Sequence, residues 1–180
     1  MRLIQEETVA LLIDIQERLL PVMHERDELV LSTVRFIEGL KILQVPVIPV
    51  RQYPKGLGDL TPEIRTALGD YEPSDKTTFS AWDTPEIASR IQAMGKKNVL
   101  VFGIEAHICV LLTVIDLIEA GFHVVLVSDC TSSRRPYDKE IALRRAEQEG
   151  AVLSTGESIL FELLRKAGSD TFKQISALVK

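Results

Sequence analysis

Apolar and polar positions along this chain follow two alternating periods. Short apolar runs closed by polar residues occur at "TVALLIDIQ" (8–16), "VPVIPV" (45–50), "NVLVFG" (98–103), "FHVVLVSD" (122–129) and "AVLST" (151–155). Continuous runs of this length mark strands buried on both faces, as in a parallel sheet. Pro46 and Pro49 weaken the second run and predict an irregular start there. Between the runs the spacing turns helical. From Asp27 to Gln44, Leu29, Val30, Thr33, Val34, Ile37, Leu40 and Leu43 fall on one side of a helix. "TPEIRTALGD" (61–70) predicts a short helix with Pro62 in its first turn, after a loop at "RQYPKGLGDL" (51–60). Residues 84–95 predict a helix with Thr84 as N-cap, Pro85 at the first position and Gly95 as stop signal. Further helices are predicted over 109–121, 138–150 and 157–168. The last segment, "DTFKQISALVK", predicts a terminal helix that packs on the body or on a partner subunit.

Strands alternating with helices imply an α/β fold: a three-layer, Rossmann-like sandwich whose mostly parallel sheet of about six strands carries helices on both faces. No composition shift marks an internal boundary, so residues 1–180 are expected to form one domain. In such sheets chemistry gathers at the carboxyl edge, where strands end and helices begin. That rule selects Asp14 at the end of the first strand, Cys109 opening the helix after "NVLVFG", and "SDCTSSR" after the next strand.

Composition adds mainly exclusions. The chain is 46% hydrophobic and 26% charged, with a formal net charge of −5. That balance gives no electrostatic reason to expect nucleic acid or an anionic membrane. Arg134, Arg135, Arg144 and Arg145 are interleaved with Asp138, Glu140, Glu147 and Glu149, the pattern of a solvated helix face. No run approaches the roughly 20 apolar residues of a membrane span, and the N-terminal segment lacks the longer apolar run of a signal peptide. The two cysteines, Cys109 and Cys130, give no disulfide framework, and a reducing, cytoplasmic setting is expected.

Two readings of the strand-end residues stay open on pattern alone. Asp14 follows four apolar residues, where it is either a turn or capping carboxylate or a general base with a shifted pKa. Cys109 is either a small core residue or a nucleophile whose thiol is lowered by a helix N-terminus, with free N–H groups serving as an oxyanion hole. His107 is only two residues away and points in a different direction, so it is a poor base for Cys109.

At these residues the chain resembles a known group. Asp14 in "LLIDIQ", Lys76 in "DKTTFSAW" and Cys109 in "VFGIEAHICV" resemble, in order and spacing, the Asp–Lys–Cys triad of the isochorismatase-like cysteine hydrolases. "QYPKGLG", "KTTFSAW", "GIEAHICV", "DCTSSR" and "FKQISALVK" look most like the small isochorismatase domain-containing branch. The resemblance implies a cysteine hydrolase that cleaves an amide-type C–N bond of a small molecule. Cys109 would attack to give a thioester, and Asp14 would take the thiol proton and pass it to the departing amine. Lys76 would hold Asp14 as carboxylate and favour the thiolate. The family's non-proline cis peptide would fall at Ile104–Glu105, aiming the Glu105 N–H with that of Cys109 at an oxyanion. Gln16, Tyr53, Phe79 and Trp82 would border the substrate, and the protein would be a homo-oligomer.

Nicotinamidase-like relatives carry an Asp-x-His and a further His after the second strand, and the corresponding region here has no histidine. His24, His107 and His123 show no ligand spacing, so neither a metal nor another cofactor is expected. His24 is expected in an exposed turn, His123 at a strand edge, and Cys130 buried and inert. Other functions remain: a vinyl-ether hydrolase, which needs no thiol; a non-catalytic oligomeric binding protein with a relic triad; and a redox-sensing thiol.

Overall fold

The structure, a computed structural model, describes residues 2–180. Its centre is a six-stranded, wholly parallel sheet in the order β3-β2-β1-β4-β5-β6. The strands are β1 (Thr8–Ile13), β2 (Val47–Gln52), β3 (Ser74–Lys76), β4 (Asn98–Ile104), β5 (His123–Ser132) and β6 (Val152–Ser154). The helices are α1 (Arg26–Ile42), α2 (Pro54–Leu57), α3 (Pro62–Leu68), α4 (Pro85–Ala93), α5 (Leu111–Glu119), α6 (Pro136–Gln148), α7 (Gly156–Leu164) and α8 (Asp170–Leu178).

Alternate residues of each central strand face opposite cores, which is why these strands read as unbroken apolar runs. Ala10 and Leu12 of β1, with Leu100 and Phe102 of β4, pack under α1, α3, α7 and α8. Val9, Leu11 and Ile13, with Val99 and Val101, pack under α4, α5 and α6. The terminal helix α8 buries Ile175 in the first of these cores, so it packs on the body. No described helix is long and apolar enough to cross a membrane.

Several boundaries differ from the expectation, each for a physical reason. β2 begins two residues later and ends two later than predicted. Pro49 is accommodated because β3 pairs only with Val50, Arg51 and Gln52, leaving the proline's missing N–H without a ladder partner to lose. The expected loop 51–60 contains the last residues of β2 and the one-turn helix α2. β3 was not predicted; its three residues, Ser74, Asp75 and Lys76, carry no apolar signal. β5 runs three residues further, through Cys130, Thr131 and Ser132, where its register against β4 shifts. Thr84 stands at the N-cap of α4 but does not cap it: its hydroxyl meets that of Thr78 at 2.9 Å.

The order of strands reverses between β1 and β4, which makes their carboxyl ends the crevice of the fold. Gly103 lets the two ends approach. It pairs with Ile13 and has φ +127°, and a Cβ there would lie 2.0 Å from the Ile13 carbonyl oxygen.

Candidate active site

Asp14 leaves β1 with φ 54°, a left-handed turn that aspartate tolerates better than most residues. The turn buries its carboxylate completely. Lys76 ends β3, two strands away, and its extended side chain crosses the end of β2 to reach that carboxylate. Lys76 Nζ donates to Asp14 Oδ2 at 2.8 Å, and neither side chain is exposed. The ammonium also donates to Gln52 Oε1 at 2.5 Å and to the carbonyls of Thr78 (3.3 Å) and Phe79 (3.1 Å). Asp14 Oδ1 has no hydrogen-bond partner.

Cys109 arrives from the other side of the crevice. The chain after β4 makes a cis peptide at Ile104–Glu105 and then a single π-helical turn over Ala106–Val110 that leads into α5. The helix thus starts three residues before its predicted position, and Cys109 lies inside the turn rather than at its start. The Glu105 carbonyl accepts from the N–H groups of Ile108 (3.1 Å) and Val110 (3.2 Å), on either side of the Cys109 N–H. Cys109 itself is 8% exposed. The Thr113 hydroxyl donates to the Cys109 carbonyl at 2.7 Å and accepts from the Ala81 N–H at 2.9 Å. It thereby ties this turn to the loop that follows Lys76.

Electrostatics correct one expectation. Burial pushes the Cys109 thiol up to about 12, Asp14 adds to the rise, and Lys76 opposes it. Burial also raises the Asp14 carboxyl above its ordinary value, with Lys76 pulling it back part of the way. The lowered thiol expected from a helix terminus and a nearby cation is therefore not found. Desolvation and the Asp14 carboxylate disfavour the thiolate more than Lys76 favours it. The resting sulfur is a thiol close to the Asp14 carboxylate, one oxygen of which lacks a hydrogen-bond partner.

The remaining candidates divide. Gln16 is wholly buried and engaged with backbone: its Nε2 donates to the carbonyls of Gln52 (3.0 Å) and Gly58 (2.8 Å), and its Oε1 accepts from the Gln52 N–H (2.7 Å). Those bonds brace the end of β2 and leave no amide group open to a substrate. Trp82 packs edge-on against Phe122, which precedes β5 at the amino end of the sheet. Tyr53 and Phe79 are exposed at the rim. Tyr53 borders a crevice of about 510 Å³ outside Lys76, with Pro54, Lys55, Asp75, Asp83 and Glu86 among its other walls. His107 Nδ1 lies 2.9 Å from Ser133 Oγ and is occupied there. The Glu105 carboxylate accepts from the N–H and the Nε of Arg134, both at 3.1 Å, which fastens the cis-peptide loop to the segment after β5. His24 is exposed, His123 is exposed at the start of β5, and Cys130 is buried. Among the described residues, no group of three or more His, Cys, Asp or Glu side chains could hold a metal ion. Gln52 and Thr113 were not foreseen from the sequence. The strand-end rule selects Gln52 once β2 is drawn to its true end.

Comparison with known proteins agrees with the fold. The model of the isochorismatase domain matches residues 8–158. Isochorismatase domain-containing protein 2 of Danio rerio is 37% identical over 179 residues, covering 99% of this chain and 89% of that protein. The structure of MAR1 ribonuclease from Caenorhabditis elegans superposes with a TM-score of 0.92 at 34% identity, covering 99% of this chain and 92% of the other. The YcaC gene product of Escherichia coli, described as an octameric hydrolase of unknown specificity, superposes with a TM-score of 0.89 at 26% identity. That match covers 99% of this chain and 87% of the other. With the family's domain matched across all six strands and the whole crevice, and a relative alike along nearly its full length, this chain belongs to the isochorismatase family and has its hydrolase fold.

Proposed function

We propose that this protein is a cysteine hydrolase that cleaves an amide-type C–N bond of a small molecule through a thioester on Cys109 and needs no metal. The observation that carries the reading is the buried Lys76–Asp14 pair, whose second carboxylate oxygen has no partner beside a buried thiol. A thiol held up to about 12 is not a standing thiolate. Its proton must leave as the sulfur attacks, and the Asp14 carboxylate is the group to take it. Lys76 keeps Asp14 ionised, and so able to accept a proton, by ion-pairing its other oxygen.

The steps balance as follows. Cys109 Sγ bonds to the carbonyl carbon while its proton passes to Asp14, and the carbonyl oxygen becomes an oxyanion facing the N–H groups of Glu105 and Cys109. The C–N bond then breaks, with Asp14 delivering its proton to the departing amine. Water attacks the thioester and gives a proton to Asp14; the C–S bond breaks, the proton returns to sulfur, and the acid leaves.

A homo-oligomer belongs to the same reading. The E. coli relative is octameric, and Phe79 and Tyr137 are 60% and 68% exposed on this chain. Two unpaired thiols fit a reducing, cytoplasmic compartment. The ribonuclease activity in the C. elegans relative's name is not extended to this chain. The test is an amide screen that detects released ammonia or amine, run on wild type and Cys109→Ala with and without chelator. Loss of turnover in the variant and indifference to chelator are expected; retained turnover in Cys109→Ala overturns the mechanism, and chelator sensitivity overturns its metal independence.

A further inference from the structure

We propose that Gln52 is a positioning residue of this site: its amide oxygen fixes Lys76 through a neutral acceptor, so the cation is immobilised while its charge stays available to Asp14 and the sulfur. The inference rests on the function proposed above and names a residue that the Asp–Lys–Cys pattern does not include.

A fully buried ammonium must replace its lost hydration with hydrogen-bond acceptors or be strongly destabilised. Lys76 has three N–H donors and four acceptors: Asp14 Oδ2, Gln52 Oε1 and the carbonyls of Thr78 and Phe79. Three of the four are uncharged. They solvate the cation without cancelling it, and only Asp14 forms an ion pair with it. The shortest of the four contacts is the one to Gln52.

Gln52 is itself held on every side. Its Nε2 donates to the Thr77 carbonyl at 3.0 Å, and because Lys76 can only donate, the amide must turn its oxygen toward the ammonium. Its backbone N–H and C=O are both bonded to the buried Gln16 amide. Gln52 and Lys76 are register partners on β2 and β3, and β2 separates β3 from β1. The lysine chain therefore passes the Gln52 amide on its way to Asp14. Gln16 fixes Gln52, Gln52 fixes Lys76, and Lys76 fixes Asp14.

A glutamate at position 52 would keep the acceptor toward Lys76, lose the donation to Thr77, and divide the ammonium between two carboxylates, weakening its positive field at the sulfur. The charged groups that bear on Cys109 are Asp14 and Lys76. Glu105 is engaged with Arg134, and His107 with Ser133, on the neighbouring segments.

The experiment compares wild type, Gln52→Glu and Gln52→Leu by the rate at which iodoacetamide labels Cys109 between pH 8 and pH 11, resolved by peptide mass spectrometry, beside a melting curve for each. Labelling about tenfold slower than wild type at each pH is expected for Gln52→Glu, because a second carboxylate raises the thiol by about one unit. A merely structural role, acting through the Thr77 hydrogen bond that both variants lose, predicts no more slowing in Gln52→Glu than in Gln52→Leu. Gln52→Leu, which removes the acceptor without adding charge, is also expected to label more slowly and carries the test if the glutamate variant does not fold. Labelling within twofold of wild type in a folded variant overturns the proposal. Labelling needs no substrate, so a wild-type protein without amide turnover would refute the hydrolysis and leave this result standing.

Discussion

Replacing Lys76 with methionine keeps most of the side chain's length but removes its charge, leaving the Asp14 carboxylate wholly buried with neither oxygen in an ion pair. Breaking a buried pair from one side costs about 3–5 kcal/mol, a large share of the roughly 5–15 kcal/mol that stabilises a domain. At about 2–4 °C per kcal/mol for a chain of this size, the melting temperature should fall by about 6–20 °C near pH 8. The loss should depend on pH with a definite sign. Burial already raises the Asp14 carboxyl above its ordinary value, and without Lys76 it rises further. The folded state then binds a proton that the unfolded chain has released. Stability falls as pH climbs from the ordinary carboxylate range through the raised folded value, and is regained as pH falls back. Urea unfolding at pH 5 and pH 8, read by circular dichroism as the difference between wild type and Lys76→Met, measures both quantities. The double variant Asp14→Asn/Lys76→Met, which buries no unpaired charge, should recover to within about 2 kcal/mol of wild type. A loss below about 1 kcal/mol that is the same at both pH values would refute the buried pair, because an exposed pair behaves that way.

Three further outcomes are expected. Gly103→Ala, which puts a Cβ 2.0 Å from the Ile13 carbonyl at φ +127°, should cost about 3 kcal/mol or more and show as a large drop in melting temperature; a neutral substitution would contradict the β1–β4 register. The rate of Cys109 labelling should rise without a plateau from pH 7 to pH 11, since the thiol is held up to about 12; a plateau near neutrality would mean a standing thiolate. Single-stranded RNA incubated with wild type should remain intact beside a Cys109→Ala control on a denaturing gel, and cleavage lost in that variant would overturn the small-molecule reading.

Which parts of the site could be read in the sequence follows from where each residue sits. Asp14 and Cys109 stand at the ends of long apolar strands, so the strand-end rule found both without knowledge of their chemistry. Lys76 sits on a strand of three residues with no apolar side chain, which hydrophobic patterning cannot detect; it came from the resemblance alone. Gln52 was missed because β2 was ended at Val50, before its carboxyl-edge residues. The π-helical turn was read as the start of an ordinary helix, since one extra residue in a turn leaves the apolar spacing of α5 unchanged. The direction of the thiol shift was misjudged for a different reason. Helix-end charges and a nearby cation can be inferred from sequence, but the depth of burial that outweighs them comes only from packing. Gln16, expected among the residues bordering the substrate, braces the backbone of β2.

The central claim is that Cys109 carries the acyl group of an amide substrate. Its most direct test is intact-protein and peptide mass spectrometry on samples acid-quenched during turnover of an amide found by screening. An acyl mass on the Cys109 peptide is expected, removable by hydroxylamine and absent from Cys109→Ala. Full turnover by Cys109→Ala, or an adduct confined to another residue, would contradict it.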